Sequence, residues 1–493
     1  MDLTLAAAPL LVAFVALALL QRTGLQAGLA TVGIAAGIVL VVAPFRLAPD
    51  RALVAAGEGA LNALVVLYVL LPGLLLYHVQ RETGSLEVLA QAISRVSADP
   101  PLQILLLVLG LSPFVESVSG FGLGTVVVTP ILVALGVAPA RAALLGALSL
   151  VAVPWGALAI GTVLGAELTG TDAGLVGART ALLAAPLPTA YGLVALHLAG
   201  GRGAVRRCWP AAVAAGATLT LGTWAFSHAP GVELAGVLAA ALALGVLALW
   251  GRAASRIRPP ADAGEGRALG RAVVPYAVLT VLLLASRLVA PLRDWLQTHA
   301  ILAVPGFEPR LPLLYNPGFW VMLAALAAAL VSGLDAPALL GAAGRAWRQF
   351  LPGAVAIACF TMTAQLMRAA GMTSALGEAG AALGPAYVWV APWLGALGGW
   401  LTGSNAGSNA MFARLQLEAA VRADLPPDWV LGAQNAAASH ATMASPARTI
   451  LAATAAGLPG QEGRLMRQVG PVVLLAVLAI SVALAAGTRF GQD

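Results

Sequence analysis

Apolar stretches of about 17–25 residues recur along the chain, each long enough to cross a hydrocarbon core roughly 30 Å thick. They fall near 5–21, 25–45, 60–79, 178–199, 208–226, 232–250, 271–290, 317–331, 350–370 and 470–487. Two longer apolar regions, about 101–165 and 385–457, are interrupted by Gly, Ser, Asn and Pro and resist clean division. With them the pattern predicts an all-α polytopic membrane protein of about 12–14 transmembrane helices. Polar connections then give orientation. Gly201–Arg207, Gly251–Arg271 and Gly344–Gln349 are rich in Arg, whereas Gly165–Gly177, Ser227–Glu233 and Pro291–Asn316 are poor in it. The alternation is self-consistent when the Arg-rich set is cytoplasmic. Residues 251–270 form the longest polar, Pro- and Gly-bearing connection and read as a cytoplasmic linker between a first half, 1–250, and a second half, 271–493. Arg81–Pro101 is polar enough for an interfacial amphipathic helix on the same side.

Composition agrees with this pattern. Of 493 residues 60% are apolar and 10% charged, against roughly 25% charged in a soluble globular chain. Mean hydropathy is +0.90. These values exclude a soluble enzyme, a disordered chain and a nucleic-acid binder. All 27 basic residues are Arg, and their excess over 21 acidic ones belongs on cytoplasmic loops facing anionic lipid. Cys208 and Cys359 are too few for a disulfide framework or a cysteine metal site and read as small apolar filler. The start of the chain lacks a basic n-region, so no cleaved signal peptide is expected.

The two interrupted regions resemble each other in the order of their features. The first reads Ser112-Pro-Phe-Val-Glu-Ser-Val-Ser-Gly-Phe-Gly122, then a Pro139 turn and Gly146 to Gly156. The second reads Leu401-Thr-Gly-Ser-Asn-Ala-Gly-Ser-Asn409, then a Pro427 turn and Gly432 to Thr442. Pro139/Pro427, Gly146/Gly432, Thr162/Thr449 and Gly170/Gly457 keep an offset of about 287. The first region is entered from the cytoplasmic side and the second from the outer side. The two copies are therefore expected to be inverted-topology repeats with broken or re-entrant helices near the midplane. Broken helices expose N–H groups and positive dipole ends that attract an anion.

Glu116 is the candidate proton-coupling residue, because a carboxylate with apolar sequence on both sides is expensive at that depth. A permanently hydrogen-bonded structural carboxylate is the other reading. Ser117, Ser119 and Gly120 surround it and allow a ligand close to the backbone, or else pack helices tightly. Thr402, Ser404, Asn405, Ser408 and Asn409 supply hydroxyl and amide groups that lipid cannot satisfy. They are candidate substrate ligands, with a capped loop at the membrane face as the alternative. Gln434, Asn435 and His440 follow on the next segment. His440 is a second coupling candidate or a hydrogen-bonded core residue. Arg448 either meets Glu116 or a substrate carboxylate, or snorkels to an interface. No P-loop, HExxH or paired Cys/His spacing appears, so neither cofactor nor metal is expected.

These motifs carry a resemblance. Pro113-Phe-Val-Glu-Ser-Val-Ser-Gly-Phe-Gly122, Val133-Ala-Leu-Gly136, Trp155-Gly-Ala157 and Leu168-Thr-Gly170 are similar to patterns of the L-lactate permease family. So are Leu401-Thr-Gly-Ser-Asn-Ala-Gly-Ser-Asn-Ala-Met-Phe412, Gln416, Met443-Ala-Ser-Pro446 and Gly457-Leu-Pro-Gly-Gln-Glu-Gly463. The resemblance covers about 101–220 and 371–470 closely. It implies proton-coupled uptake of lactate, and often glycolate, across the bacterial inner membrane. It also implies relation to larger carboxylate transporters with inverted repeats and re-entrant hairpins, several of them elevator-type dimers. The chain departs from the pattern at Ala441-Thr442-Met443, where well-known members have Gly-Lys-Met, and at Ala437-Ala438, in place of Gly-Gly. Ala447 replaces a usually polar residue, and Ser149-Leu-Val-Ala152 replaces an Asn-Thr-x-Pro stretch. Arg448 is the candidate for the missing positive charge.

The resulting expectation is a multi-pass secondary transporter rather than an enzyme. It would move a small monocarboxylate such as L-lactate or glycolate with protons by alternating access. Its partners are a small organic anion and the lipid bilayer, with no nucleic acid and with a homodimer as candidate assembly. The alternative is a Na⁺-coupled transporter of a different organic anion with the same architecture, in which Asn and Ser oxygens ligate the ion. A membrane-embedded enzyme and a passive channel rank below both.

Overall fold

The computed structural model describes residues 3–490 apart from 21, 98, 121, 255–262, 308–309 and 459–460. The centre of the expected linker therefore lies outside the described residues. The first half contains α1 (Leu3–Phe14), α2 (Gly24–Val41), α3 (Pro49–Glu82), α4 (Ser85–Ser94), α5 (Pro100–Leu105) and α6 (Ser112–Ser119). It continues with α7 (Leu123–Ala134), α8 (Pro139–Leu148), α9 (Gly156–Thr169), α10 (Ala173–Leu183), α11 (Leu187–Phe226) and α12 (Val232–Ala254). The second half opens with α13 (Ala263–Leu288), α14 (Ala290–Thr298), β1 (Ile301–Ala303), β2 (Arg310–Pro312), α15 (Pro317–Val331) and α16 (Ala336–Ala369). It closes with α17 (Met372–Ala381), α18 (Tyr387–Thr402), α19 (Asn405–Arg422), α20 (Pro427–Ala441), α21 (Pro446–Ala455) and α22 (Glu462–Phe490).

Helix starts follow local chemistry. Proline occupies the first turn of α3, α8, α15, α16, α20 and α21, where its missing N–H costs nothing. Thr23, Asp172, Asn316, Asp335, Ser404 and Ser445 cap helix N-termini with side-chain oxygens.

Among the described residues, seven helices are long and apolar enough to cross a membrane, or up to nine when each bent pair counts once. This is fewer than the 12–14 read from hydropathy. The breaks explain the difference, because they leave pieces shorter than a full crossing. α8 and the Val153–Thr169 helix meet at 60°, and α10 meets the following helix at 46°. α11 is two helices end to end, parted at Gly200 and at Gly201, whose φ is 65°. The loop after α14 also departs from the all-α expectation: β1 and β2 pair as a short antiparallel hairpin.

One contiguous apolar core runs through both halves. Large apolar side chains also face outward, among them Leu330 at 80% and Val41 at 76% exposure. A soluble surface would not carry that belt; lipid accommodates it. Within the bundle, α3 packs on α15 and α16, and α16 on α2. A second group gathers the broken segments: α18 on α19 and α20, α19 on α9, α20 on α10, and α7 on α8 and α21. The sequence of helix, break, helix, proline turn, helix, break, helix occurs twice, as α6–α7–α8–α9 and as α18–α19–α20–α21.

The second group packs through small residues. On α18, Gly395 abuts the Gln434 backbone, Gly398 abuts Phe412, and Gly399 abuts the Ala438 carbonyl. Without a hydrophobic drive between helices in lipid, such close approach supplies the contact energy. A Cβ at Gly399 would collide with backbone. Gly399→Ala is expected to lower stability by about 1–3 kcal/mol, the usual penalty of overpacking. Thermal unfolding of the purified chain in detergent reads this directly.

Candidate functional site

The first break turns on two glycines. Gly120 and Gly122 join α6 to α7 with φ of 69° and 79°, values open to glycine at little strain. A Cβ on Gly120 would lie 2.8 Å from that of Ala157, and one on Gly122 would strike the Arg448 guanidinium. Glu116 sits on the last turn of α6, 1% exposed. Its Oε1 accepts the Gly122 N–H at 3.0 Å and its Oε2 the Gly124 N–H at 3.2 Å. The carboxylate is thus an anionic cap on the α7 N-terminus, held by two amides and favoured by the helix dipole.

Arg448 comes from the other half. The Ser445 hydroxyl accepts its backbone N–H at 3.3 Å, which starts α21. Its Nε donates to the Gly403 carbonyl at 3.1 Å, at the end of α18. It is 5% exposed and so does not snorkel to an interface. Glu116, Gly120, Gly156, Ser404, Asn405 and Arg448 line one cavity of about 30 Å³, room for about one water. Among the described residues no ion pair joins Glu116 to Arg448. Backbone groups hold each instead, and the guanidinium lies against Gly122. Four helix breaks meet here: α6/α7, α8/α9, α18/α19 and α20/α21.

The α9 entry is strained. Ala157, Leu158 and Ala159 take φ of 47°, 58° and 60° in succession. A left-handed turn of L-residues costs about 1–2 kcal/mol per residue. Such strain persists where packing over-determines it and clusters at functional sites. All three residues are at most 2% exposed.

Beside the cavity lies a closed amide network. Asn435 Oδ1 accepts from Asn405 Nδ2 at 2.8 Å and from Asn409 Nδ2 at 2.9 Å. Asn435 Nδ2 donates to the Thr162 and Thr180 hydroxyls, both at 2.9 Å. Asn409 Nδ2 also reaches the Gly161 carbonyl at 3.0 Å. A second chain runs from Tyr387 to Gln416, Gln434, Ser408 and the Gly395 carbonyl, at 2.7–3.0 Å per step. Every amide here donates to protein, and the network ties α9, α10, α19 and α20 together as one unit.

The structure thus gathers Glu116, Gly120, Ser404, Asn405 and Arg448 at the cavity. It places the other candidates elsewhere. Ser408, Asn409, Gln434 and Asn435 belong to the network. Ser119 donates to the Val115 carbonyl and Thr402 to the Gly398 and Ser404 carbonyls. Ser117 packs against Gly236 of α12. His440 sits 3.2 Å from the Tyr191 hydroxyl and lines a separate cavity of about 20 Å³ with Trp155. Gly156, Gly161, Thr162 and Thr180 were not singled out by sequence as site residues. Gly156 and Gly161 carried a signal in the glycine-interrupted first region; Thr180 carried none, since it lies within an ordinary apolar span. Asn435→Ala is expected to cost about 2–4 kcal/mol, because it orphans buried donors and acceptors on three helices. Unfolding of the detergent-solubilised chain measures that loss.

The family model and the related sequences agree with one another. The family model described as L-lactate permease matches residues 2–312 and 298–488. The L-lactate permease of Bacillus subtilis (strain 168) is 26% identical over 93% of this chain and 91% of its own length. The glycolate permease GlcA of Escherichia coli (strain K12) is 25% identical over 93% of this chain and 90% of its own. The Alcanivorax borkumensis YdaH transporter matches at TM-score 0.47 and 16% identity, over 87% of this chain and 85% of that one. With a family model spanning nearly its whole length, this multi-pass membrane chain belongs to the L-lactate permease family, a family of permeases rather than enzymes.

Proposed function

We propose that the chain is a secondary transporter of small monocarboxylates, 2-hydroxy acids such as L-lactate or glycolate. It moves them with protons, by alternating access, across the bacterial inner membrane. The names of its relatives support the substrate class. The observation that carries the reading is Glu116 and Arg448 at one small cavity between broken helices. Glu116 occupies the N–H groups that a substrate carboxylate needs, those of Gly122 and Gly124. A second carboxylate there would set two negative charges side by side. A proton on Glu116 removes that repulsion and loosens its hold on the two amides, while the Arg448 guanidinium beside them meets the incoming anion. Proton and anion then bind together and cross as a neutral pair.

Alternating access is supported by larger cavities on both sides of this small one. A crevice of about 580 Å³ runs along α7 between Tyr77, Arg81 and Ala455. A cavity of about 410 Å³ opens at the far ends of α9 and α19. The packing also supports inverted repeats. α7 packs on α8 and α21, and α19 packs on α20 and α9. Exchanging the copies (α7 with α19, α8 with α20, α9 with α21) maps one set of contacts onto the other. The Na⁺ alternative draws less support, because Asn435 Oδ1 already accepts two amide donors.

Proteoliposomes given labelled L-lactate in the external medium test the reading. Wild-type uptake is expected to rise with an inward proton gradient. Glu116→Gln is expected to abolish that response, and Arg448→Gln to raise KM by about tenfold or more, with Arg448→Lys between. Uptake indifferent to the gradient, or a response that survives Glu116→Gln, overturns the coupling.

A further inference from the structure

The 410 Å³ cavity lies apart from the Glu116 site and has a different chemistry. We infer that it is a second anion station, which holds a small carboxylate at the outer mouth before the transport step. The inference rests on the transport reading for its place in a cycle. Its volume is in the range of small-molecule sites, roughly 300–1,000 Å³, whereas the inner cavity holds about one water.

Its wall carries Arg310, Arg368 and Arg414 against Glu58 and Glu167. Arg368 is spent on structure: it pairs with Glu58 at 2.9 Å and with Gln365 at 2.5 Å. Arg414 is not. Its Nε is buried without a hydrogen-bond partner. Its other contacts are long, 3.4 Å to the Leu168 carbonyl and 3.5 Å to Glu418. Arg310, on strand β2, is exposed and faces the same space. The lining carries three Arg against two Glu, one positive charge in excess, which draws small anions toward it. Glu167 opposes a bound carboxylate and keeps the station weak, as an antechamber requires.

The same two helices connect the station to the inner site. α9 contributes Gly156, Ala157 and Gly161 to the inner cavity and Leu168–Gly170 to the outer one. α19 contributes Asn405 and Ala406 to the first and Arg414 to the second. Along a helix those positions are about 10–12 Å apart. Between them Asn409 clasps the Gly161 carbonyl and Gly165 abuts Asn409, so the seam is closed.

The test attaches a reporter to the cavity wall. Cys208 and Cys359 are both buried; with each replaced by Ala, Asn62→Cys gives one reactive thiol on the lining. The purified chain in nonionic detergent at low salt is labelled with an anionic sulfonate or a cationic ammonium methanethiosulfonate of similar size. The anionic reagent is expected to react about fivefold faster or more, and millimolar L-lactate to slow it. Arg310→Gln with Arg414→Gln removes both effects. Arg310→Lys retains them, which separates charge from misfolding. An unreactive thiol, equal rates, or a rate indifferent to lactate overturns the station. Uptake in proteoliposomes separates the two readings. Lactate that is taken up without any charge preference in labelling sinks the station alone. Lactate that protects the thiol but is never taken up sinks transport alone.

Discussion

Broken helices inside a hydrocarbon slab leave N–H and C=O groups that lipid cannot satisfy. The rest of this structure follows from how those groups find partners. Glu116 takes the free amides at the start of α7. Ser404 and Ser445 cap α19 and α21. Arg448 takes the Gly403 carbonyl at the end of α18, and Thr162 takes the Pro154 carbonyl before α9. The polar residues therefore gather where the backbone is unwound, and a place that can hold a carboxylate and a guanidinium together arises from the same requirement. The internal carboxylate of Glu116 occupies the amides at that place.

Buried amides join the halves at their centre, and the ion pairs Arg179–Asp428, Arg345–Glu82 and Arg368–Glu58 join them nearer the rim. Asn435, Asn409 and Asn405 tie α19 and α20 to Gly161, Thr162 and Thr180 on α9 and α10. A buried network of this kind is stiff while its bonds are made and costly where one is lost. Around it, α2, α3, α15 and α16 pack chiefly on one another. Arg368 and Glu58, which pair across α16 and α3, line the outer cavity at the border between the two groups.

Much of this was legible in advance, and the pattern of success has a physical basis. Glu116 and Arg448 stood out because charge within an apolar run is rare and needs a partner. The paired breaks stood out because Gly, Pro and Asn interrupt long apolar runs at matching places. The roles of Ser117, Ser119, Ser408, Gln434 and His440 were not legible, since a small polar residue serves a ligand, a carbonyl or a neighbouring helix with the same atoms. The left-handed turn at Ala157–Ala159 left no trace in the sequence, for alanine ordinarily avoids that conformation. The short β-hairpin that brings Arg310 to the outer cavity lay in a loop read only as poor in Arg.

By itself the sequence determined the membrane class, the places where helices break and the few charges that enter the bilayer. Those are sums and interruptions of local hydropathy, which a residue carries wherever it is packed. Only the tertiary structure decided which polar groups face a cavity and which spend themselves on protein. Hydrogen bonds are short and directional, and the partners that settle each role stand far apart in the chain: Asn409 and Gly161 by 248 positions, Asn435 and Thr162 by 273.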